Sequence, residues 1–213
     1  MPFKNREEAA NLLAQKLSHL KGENPLVLAI PRGAVPMAKI IAEKLEGEVD
    51  VVLVHKLGAP GNPELAIGSI DETGHVYLGD IAKALGISDD YIEEEKNAQI
   101  EMLKERRKLY TSIHKPISPT NRIVVVLDDG IATGSTMIAA LHAVRAKNPS
   151  KLIAAIGVAP ADNIPRIEGI ADEVVCLEAP LVFYAVGQFY AEFGPVSDEE
   201  VKETLEHAVR KKA

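Results

Sequence analysis

Cysteine is nearly absent. Cys176 stands alone, so no disulfide can form within the chain. It lies in the apolar run Val174-Val175-Cys176-Leu177, where a small hydrophobe is expected inside a buried strand. Positive charge is in deficit: 24 Lys and Arg against 31 Asp and Glu leave a formal net charge of −7. That balance argues against nucleic-acid binding through a broad basic face. No apolar run approaches the ~18 residues of a membrane span. The opening residues Met1-Pro2-Phe3-Lys4-Asn5-Arg6-Glu7-Glu8 lack a secretory leader's apolar stretch. The expectation is a cytoplasmic protein with no nucleic-acid and no membrane partner. The six histidines, His19, His55, His75, His114, His142 and His207, are scattered without ligand spacing, which argues against a zinc site. There is no internal repeat and no low-complexity tract.

What is present is an alternation of apolar runs and helical patterns. A helix is predicted over residues 6–20 from the spacing of Ala9, Leu12, Leu13, Leu17 and Leu20. Apolar runs follow at 26–30 and 51–54, with a helix at 35–45 between them. Residues 65–70 and 75–78 read as two strands joined by the turn Asp71-Glu72-Thr73-Gly74. A charged helix is predicted over 88–110, acidic at its start and basic at its end through Lys104, Arg106, Arg107 and Lys108, as the helix dipole favours. The plain reading of Arg106 and Arg107 is a solvated face. Further apolar runs at 123–127, 152–158 and 173–177 flank a helix at 135–147, and Ser197-Asp198-Glu199-Glu200 opens a closing helix at 197–210. Strands apolar on both faces, alternating with helices, predict a mostly parallel central sheet covered on both faces, an α/β fold. Ligands on such sheets lie beyond the carboxyl ends of the strands. The segments 31–33, 56–58 and 128–134 each follow an apolar run, so they are expected on one edge.

The chemistry concentrates in Val124-Val125-Val126-Leu127-Asp128-Asp129-Gly130-Ile131-Ala132-Thr133-Gly134-Ser135-Thr136. An apolar strand ends in two adjacent carboxylates, and a loop of small and hydroxyl residues then opens a helix. The loop's N–H groups and the first N–H groups of that helix can converge on one anion without a lysine. Gly134 permits close approach of the backbone. Thr133, Ser135 and Thr136 add hydroxyls, while Asp128 and Asp129 are acceptors for a sugar diol or a divalent cation. A capped helix start with two turn aspartates is the plain alternative. A Walker loop is absent, because no lysine falls between Asn121 and Arg145, and so is G-x-G-x-x-G spacing.

This segment resembles the signature of the type I phosphoribosyltransferases, and the wider chain is similar to the "predicted phosphoribosyltransferase" branch of that superfamily. The further stretches that carry the resemblance are Ile30-Pro31-Arg32-Gly33, His55-Lys56-Leu57-Gly58-Ala59-Pro60-Gly61-Asn62-Pro63-Glu64 and Ala185-Val186-Gly187-Gln188-Phe189-Tyr190. The resemblance implies one domain over residues 1–213: a core at about 21–177, a small hood subdomain at about 178–196 with the N-terminal segment, and the closing helix. It implies 5-phosphoribosyl-1-pyrophosphate (PRPP) as donor, Mg2+ as cofactor, and an arrangement that admits a homodimer. Ala132, Thr133, Gly134, Ser135 and Thr136 would hold the 5-phosphate. Asp128 and Asp129 would bind the ribose hydroxyls, with the metal beside them directly or through water. Arg32, Gly33 and Lys56 would meet pyrophosphate, Gly33 in a backbone that often includes a non-proline cis peptide. Lys56 also reads as an exposed lysine in a structural connection, and 58–63 as a mobile loop able to close over substrate.

Of nine aromatic residues, Phe183, Tyr184, Phe189, Tyr190 and Phe193 cluster after the last core strand. Phe183, Phe189 and Tyr190 are candidates to stack on an acceptor, or to form a local core. The expected reaction is transfer of the phosphoribosyl group to a nitrogenous acceptor such as a nucleobase, with Arg32, Lys56, Asp128 and Asp129 as the catalytic set. The alternative is a PRPP- or nucleotide-binding regulator of the same fold. In the superfamily's 6-oxopurine enzymes an aspartate stands where this chain has Ala132. Glu64 or Glu72 could serve for acid–base work instead.

Overall fold

The computed structural model describes residues 2–110 and 116–210. A five-stranded sheet holds β2 (Glu48–Val51), β1 (Leu26–Ala29), β6 (Ile123–Asp128), β7 (Lys151–Val158) and β8 (Glu173–Glu178) in that spatial order. Every neighbouring pair in it is parallel. The helices are α1 (Arg6–Lys16), α2 (Ala34–Leu45), α3 (Asp80–Ala84), α4 (Asp89–Tyr110), α5 (Ser135–Arg145), α6 (Ile164–Glu168) and α7 (Asp198–Arg210). Among the described residues no helix is long and apolar enough to cross a membrane.

Strand periodicity sorts the core into two layers. Val27, Ala29, Val125, Leu127, Ile153 and Ala155 pack with Leu13, Met37, Ile41 and Leu205 of α1, α2 and α7. The intervening Leu26, Leu28, Val124, Val126, Leu152, Ala154 and Ile156 pack with Met137, Leu141 and Val144 of α5 and Ile167 of α6. Each fully buried large side chain contributes roughly 1.5–3 kcal/mol. This is the two-sided burial that the apolar runs predict. Cys176 departs from expectation in degree: β8 is an edge strand, so the thiol is only half-buried. Burial still pushes it up to about 11, which leaves it unreactive as a thiolate.

A second, antiparallel sheet is built from β3 (Val54–Ala59), β4 (Asn62–Asp71) and β5 (Val76–Leu78). The β4–β5 pair is the hairpin predicted from the sequence. Two expectations are corrected here. Residues 58–63, expected as a loop, form the end of a strand hairpin, with Ala59 opposite Asn62 and Gly61 turning at φ +73°. Lys56 accordingly lies inside β3 and does not follow a strand of the parallel sheet.

Arg107 is also corrected. Its guanidinium donates to Asp50 Oδ1 at 3.0 Å, to the Val51 carbonyl at 2.9 Å and to both carboxylate oxygens of Glu72. Asp50 is 1% exposed and also accepts from the Ile117 N–H. The end of α4 is thus bolted to the end of β2 and to the turn between β4 and β5, and Arg107 is not a solvated residue. His114 lies outside the described residues.

Candidate functional site

The chain runs from β1 to β2 on one side, whereas β6 pairs with β1 on the other. The loops after β1 and β6 therefore part at a topological switch point, where open α/β sheets form a crevice. The Ile30 N–H donates to the Leu127 carbonyl at 2.9 Å and holds the two strand ends level. Beyond it the Pro31–Arg32 peptide is cis, and Gly33 precedes the first turn of α2. A Cβ on Gly33 would stand 2.1 Å from Asp129 Oδ2, so the two loops touch through a glycine that no larger residue can replace without displacement.

Asp128 ends β6 and Asp129 follows it. Asp129 is 8% exposed. Its Oδ2 accepts from Arg6 Nε at 2.7 Å, and its carbonyl accepts from the Tyr190 hydroxyl. Gly157 fits behind it, where a Cβ would meet the Asp129 carbonyl oxygen at 2.3 Å. Asp128 keeps part of its surface open although protein atoms crowd its carboxyl. Burial, followed by the neighbouring Asp129 charge, pushes Asp128 well above the usual carboxylate range; the N–H groups of Gly130 and Asp129 oppose this only in part.

Past the acids, Ile131 anchors the loop by burial and by donating its N–H to the Val158 carbonyl at 2.9 Å. Asn163 Nδ2 donates to the Ala132 carbonyl at 2.9 Å, and Arg166 Nη1 reaches the Thr133 carbonyl at 3.4 Å. Gly134 adopts φ +76°, a left-handed conformation suited to glycine, and starts α5 without a side-chain cap. The first turn of α5 carries no acidic residue. Ala132, Thr133 and Thr136 are exposed, and Ser135 is half-buried. Two of the loop's carbonyls are thus occupied by side chains, and the Ser135 N–H makes a long 3.4 Å contact to the Thr133 Oγ1 at the positive end of α5.

Arg32 and Gly33 stand at the same edge. Arg32 Nη1 lies 3.8 Å from Asp198 Oδ2, with the arginine side chain 52% exposed. Asp198 begins α7 and also accepts from the Tyr110 hydroxyl. Lys56 sits opposite Ser69, which sits opposite Tyr77, so the three share one face of the second sheet. That face borders a cleft of about 500 Å³ lined by Ser69, Tyr77, Ser135, His142 and Arg166 among others.

The aromatic cluster divides. Phe183 and Phe189 stack with centroids 5.6 Å apart and remain partly exposed. Tyr190, a sequence candidate for stacking on an acceptor, is 5% exposed, with Phe3 and Phe193 packed on its ring. It supports Asp129 from behind and has no open face to offer. Glu72 is committed to Arg107.

Arg6 and Arg166 were not singled out by sequence. Arg6 reads as the polar side of a helix start, and its partner lies 123 positions away. Arg166 lies beyond the end of β7 in a helix too short to show periodicity. Among the described residues no group of three or more His, Cys, Asp or Glu could cage a metal ion. The adjacent carboxylates instead suit a hard cation that takes one or two protein oxygens and completes its shell with phosphate and water, the habit of Mg2+.

Residues 4–193 match the family model described as Phosphoribosyl transferase domain. The crystal structure of TT1426 from Thermus thermophilus is 42% identical with a TM-score of 0.89, covering 97% of this chain and 99% of that one. Two Mycobacterium tuberculosis proteins, MT0597 of strain CDC 1551 and Rv0571c of strain H37Rv, carry provisional names as phosphoribosyl transferases. Each is 40% identical over 209 residues, which is 98% of this chain and 47% of the relative. The chain spans about half the length of these curated relatives.

Proposed function

The chain belongs to the phosphoribosyl transferase domain family, and on that premise we propose that it moves the 5-phosphoribosyl group of PRPP to a nitrogenous acceptor and releases pyrophosphate. The observation that carries this reading is a helix start without acidic side chains, its exposed loop residues Ala132 and Thr133 leading into α5, on the same loop as a partly open Asp128 at the switch point. A 5-phosphate bound by the main chain of residues 132–136 sets the ribose hydroxyls toward Asp128, a few ångströms back along the loop. Arg32, beside Gly33, supplies a planar cation for pyrophosphate, and Lys56 approaches from the second sheet. Phe183 and Phe189 offer apolar surface to a flat acceptor.

In the reaction the C1–O bond to pyrophosphate breaks, with both electrons leaving on oxygen. The acceptor nitrogen forms the C1–N bond and its displaced proton goes to solvent. The chain needs no nucleophile of its own. Its residues orient the donor, neutralise the departing oxygen through Arg32 and Lys56, and keep water from C1. Bound Mg2+, held by Asp128 and Asp129 directly or through water, would add charge neutralisation at the donor phosphates. No carboxylate stands at Ala132, so the loop itself supplies no acid or base to an acceptor.

The test is pyrophosphate release from PRPP and Mg2+ across a panel of nucleobases and amines. Release that depends on acceptor supports transfer. Tight PRPP binding without release in any mixture would instead make the protein a donor-binding regulator, and absence of PRPP binding by calorimetry would refute the reading.

A further inference from the structure

Arg6 makes three contacts that meet at one point. Its Nε donates to Asp129 Oδ2 at 2.7 Å, its Nη1 donates to the Gly194 carbonyl at 2.7 Å, and its guanidinium carbon lies 4.0 Å from the centroid of the Phe193 ring. The side chain is 16% exposed. Arg6 is the first residue of α1, so a single planar cation ties the N-terminal helix, the acid pair and the segment after Tyr190 together. The same two segments are joined independently: the Phe3 N–H donates to the Phe189 carbonyl at 2.7 Å, and the Ala191 N–H donates to the Phe3 carbonyl at 2.8 Å. Gly33 lies against the same carboxylate, where an added Cβ would stand 2.1 Å from Oδ2.

We propose that Arg6 is a positioning residue for the donor site: it fixes the Asp129 carboxylate and couples that acid to the aromatic segment 183–193. This rests on the PRPP reading above. Asp129 is clasped through Oδ2, so it has at most its other oxygen to offer a ligand, and Asp128 is the acid with open surface. The two neighbouring acids therefore hold different offices. Asp128 meets the donor, and Asp129 aligns and electrostatically tunes Asp128 while held by Arg6. Lysine keeps the charge but lacks the planar fork that reaches a carboxylate and a carbonyl while stacking on a ring. Loss of a group that orients a ligand-binding side chain from behind typically lowers affinity about 10–100-fold.

The experiment is calorimetric titration of the full chain with PRPP and Mg2+, and separately with inorganic phosphate. The proteins are wild type, Arg6→Gln, Arg6→Lys, Asp129→Asn and the Arg6→Gln/Asp129→Asn double variant. Arg6→Gln is expected to weaken PRPP binding about 10–100-fold, with Arg6→Lys falling between it and wild type. Phosphate affinity should hold, since the start of α5 does not touch Arg6. If Arg6 acts through Asp129, adding Arg6→Gln to Asp129→Asn should change PRPP affinity little further. An equal loss in both backgrounds, a parallel loss for phosphate, or unchanged PRPP affinity in Arg6→Gln would overturn the role of Arg6 and leave the PRPP reading standing. If Arg6→Gln does not fold, the lysine variant carries the same comparison. Wild type that binds phosphate but not PRPP would overturn the functional reading itself, and the role of Arg6 with it.

Discussion

The contact between Gly33 and Asp129 predicts a substitution that damages binding far more than folding. Gly33 has φ −58° and ψ −33°, an ordinary helical conformation that alanine adopts freely. Restricting the unfolded chain at such a site normally stabilises by about 0.4–1 kcal/mol. Against this, the new methyl carbon would lie 2.1 Å from Asp129 Oδ2 and 2.8 Å from its Cγ, with Arg6 Nη2 at 3.2 Å. A carbon and an oxygen approach comfortably at about 3.3 Å, so the carboxylate must retreat by roughly 1 Å. Arg6 and the packed tyrosine behind resist that movement. Overpacking of this kind costs about 1–3 kcal/mol, which leaves a net loss of roughly 0–2.6 kcal/mol, or a Tm fall of about 10 °C at most. A 1 Å displacement of a positioning group can lower function about 100-fold.

Gly33→Ala should therefore bind PRPP and Mg2+ on the order of 100-fold more weakly by calorimetry while unfolding cooperatively near the wild-type temperature. Gly169→Ala is the control, because its added methyl meets nothing closer than 3.5 Å. Should Gly33→Ala bind the donor within twofold of wild type, the Asp129 carboxylate does not need the place the structure gives it, and the reasoning fails.

Two further outcomes follow from burial and charge. Arg107→Ala leaves Asp50, 1% exposed, without its cation, and is expected to cost about 3–5 kcal/mol in urea unfolding. Lys104→Ala, from an exposed pair with Glu101, should cost only a small fraction of that, and similar losses in the two variants would contradict the assignment of a buried network. Asp128→Asn should raise the Tm of the metal-free protein in chelator, by an amount that grows with pH. The Asp128 carboxyl is raised in the folded chain, chiefly by burial. The folded state therefore holds its proton more tightly than the unfolded state does. The stability tied to that proton is complete below the ordinary carboxylate range and is lost as pH climbs through the raised folded value. A Tm difference between the two proteins that stays flat from acid to neutral pH would refute this.

The parts of the fold that were legible in the sequence share one physical trait. Runs such as Val124-Val125-Val126-Leu127 are apolar at every position because both faces of the parallel sheet are covered, and no polar residue interrupts them. The helices expected at 35–45, 88–110 and 135–147 declared themselves by spacing and end charges, and stand at Ala34–Leu45, Asp89–Tyr110 and Ser135–Arg145. β3 did not. Its His55, Lys56 and Gly58 obscure alternation because one face of the small sheet lines an open cleft, and its pairing with β4 shifts register after Leu57. The central loop was legible as a local motif whose neighbours in sequence are also its neighbours in space. The residues that brace it were not: Arg6 reaches Asp129 across 123 positions, and Arg107 reaches Asp50 across 57. A helix-end arginine looks the same in sequence whether it faces water or closes a buried network. Tyr190 shows the same limit, since an aromatic cluster does not reveal which rings lie outside and which support the site from within.

If the chain takes PRPP as proposed, a net charge of −7 and two carboxylates at the donor site pose an electrostatic problem that composition does not answer. Placement does. Arg6 is spent on Asp129, which removes one negative charge from the edge. Burial biases Asp128 toward its neutral form until a cation or a sugar diol compensates it. Arg32 is held by Asp198 at 3.8 Å with half its side chain in water, an exposed pairing worth about 0–1 kcal/mol. An arriving phosphate, able to take the guanidinium in a bidentate grip, offers more than that and can draw Arg32 away. The start of α5 carries no acidic side chain, so the helix dipole acts there unopposed. On that reading, the positive potential for a phosphorylated ligand is assembled from one neutralised acid, one loosely held arginine and one helix end without acidic side chains, beside the crevice between β1 and β6. Because these effects are short-ranged and partly shielded from salt, the surplus acidity of the remaining surface does not cancel them.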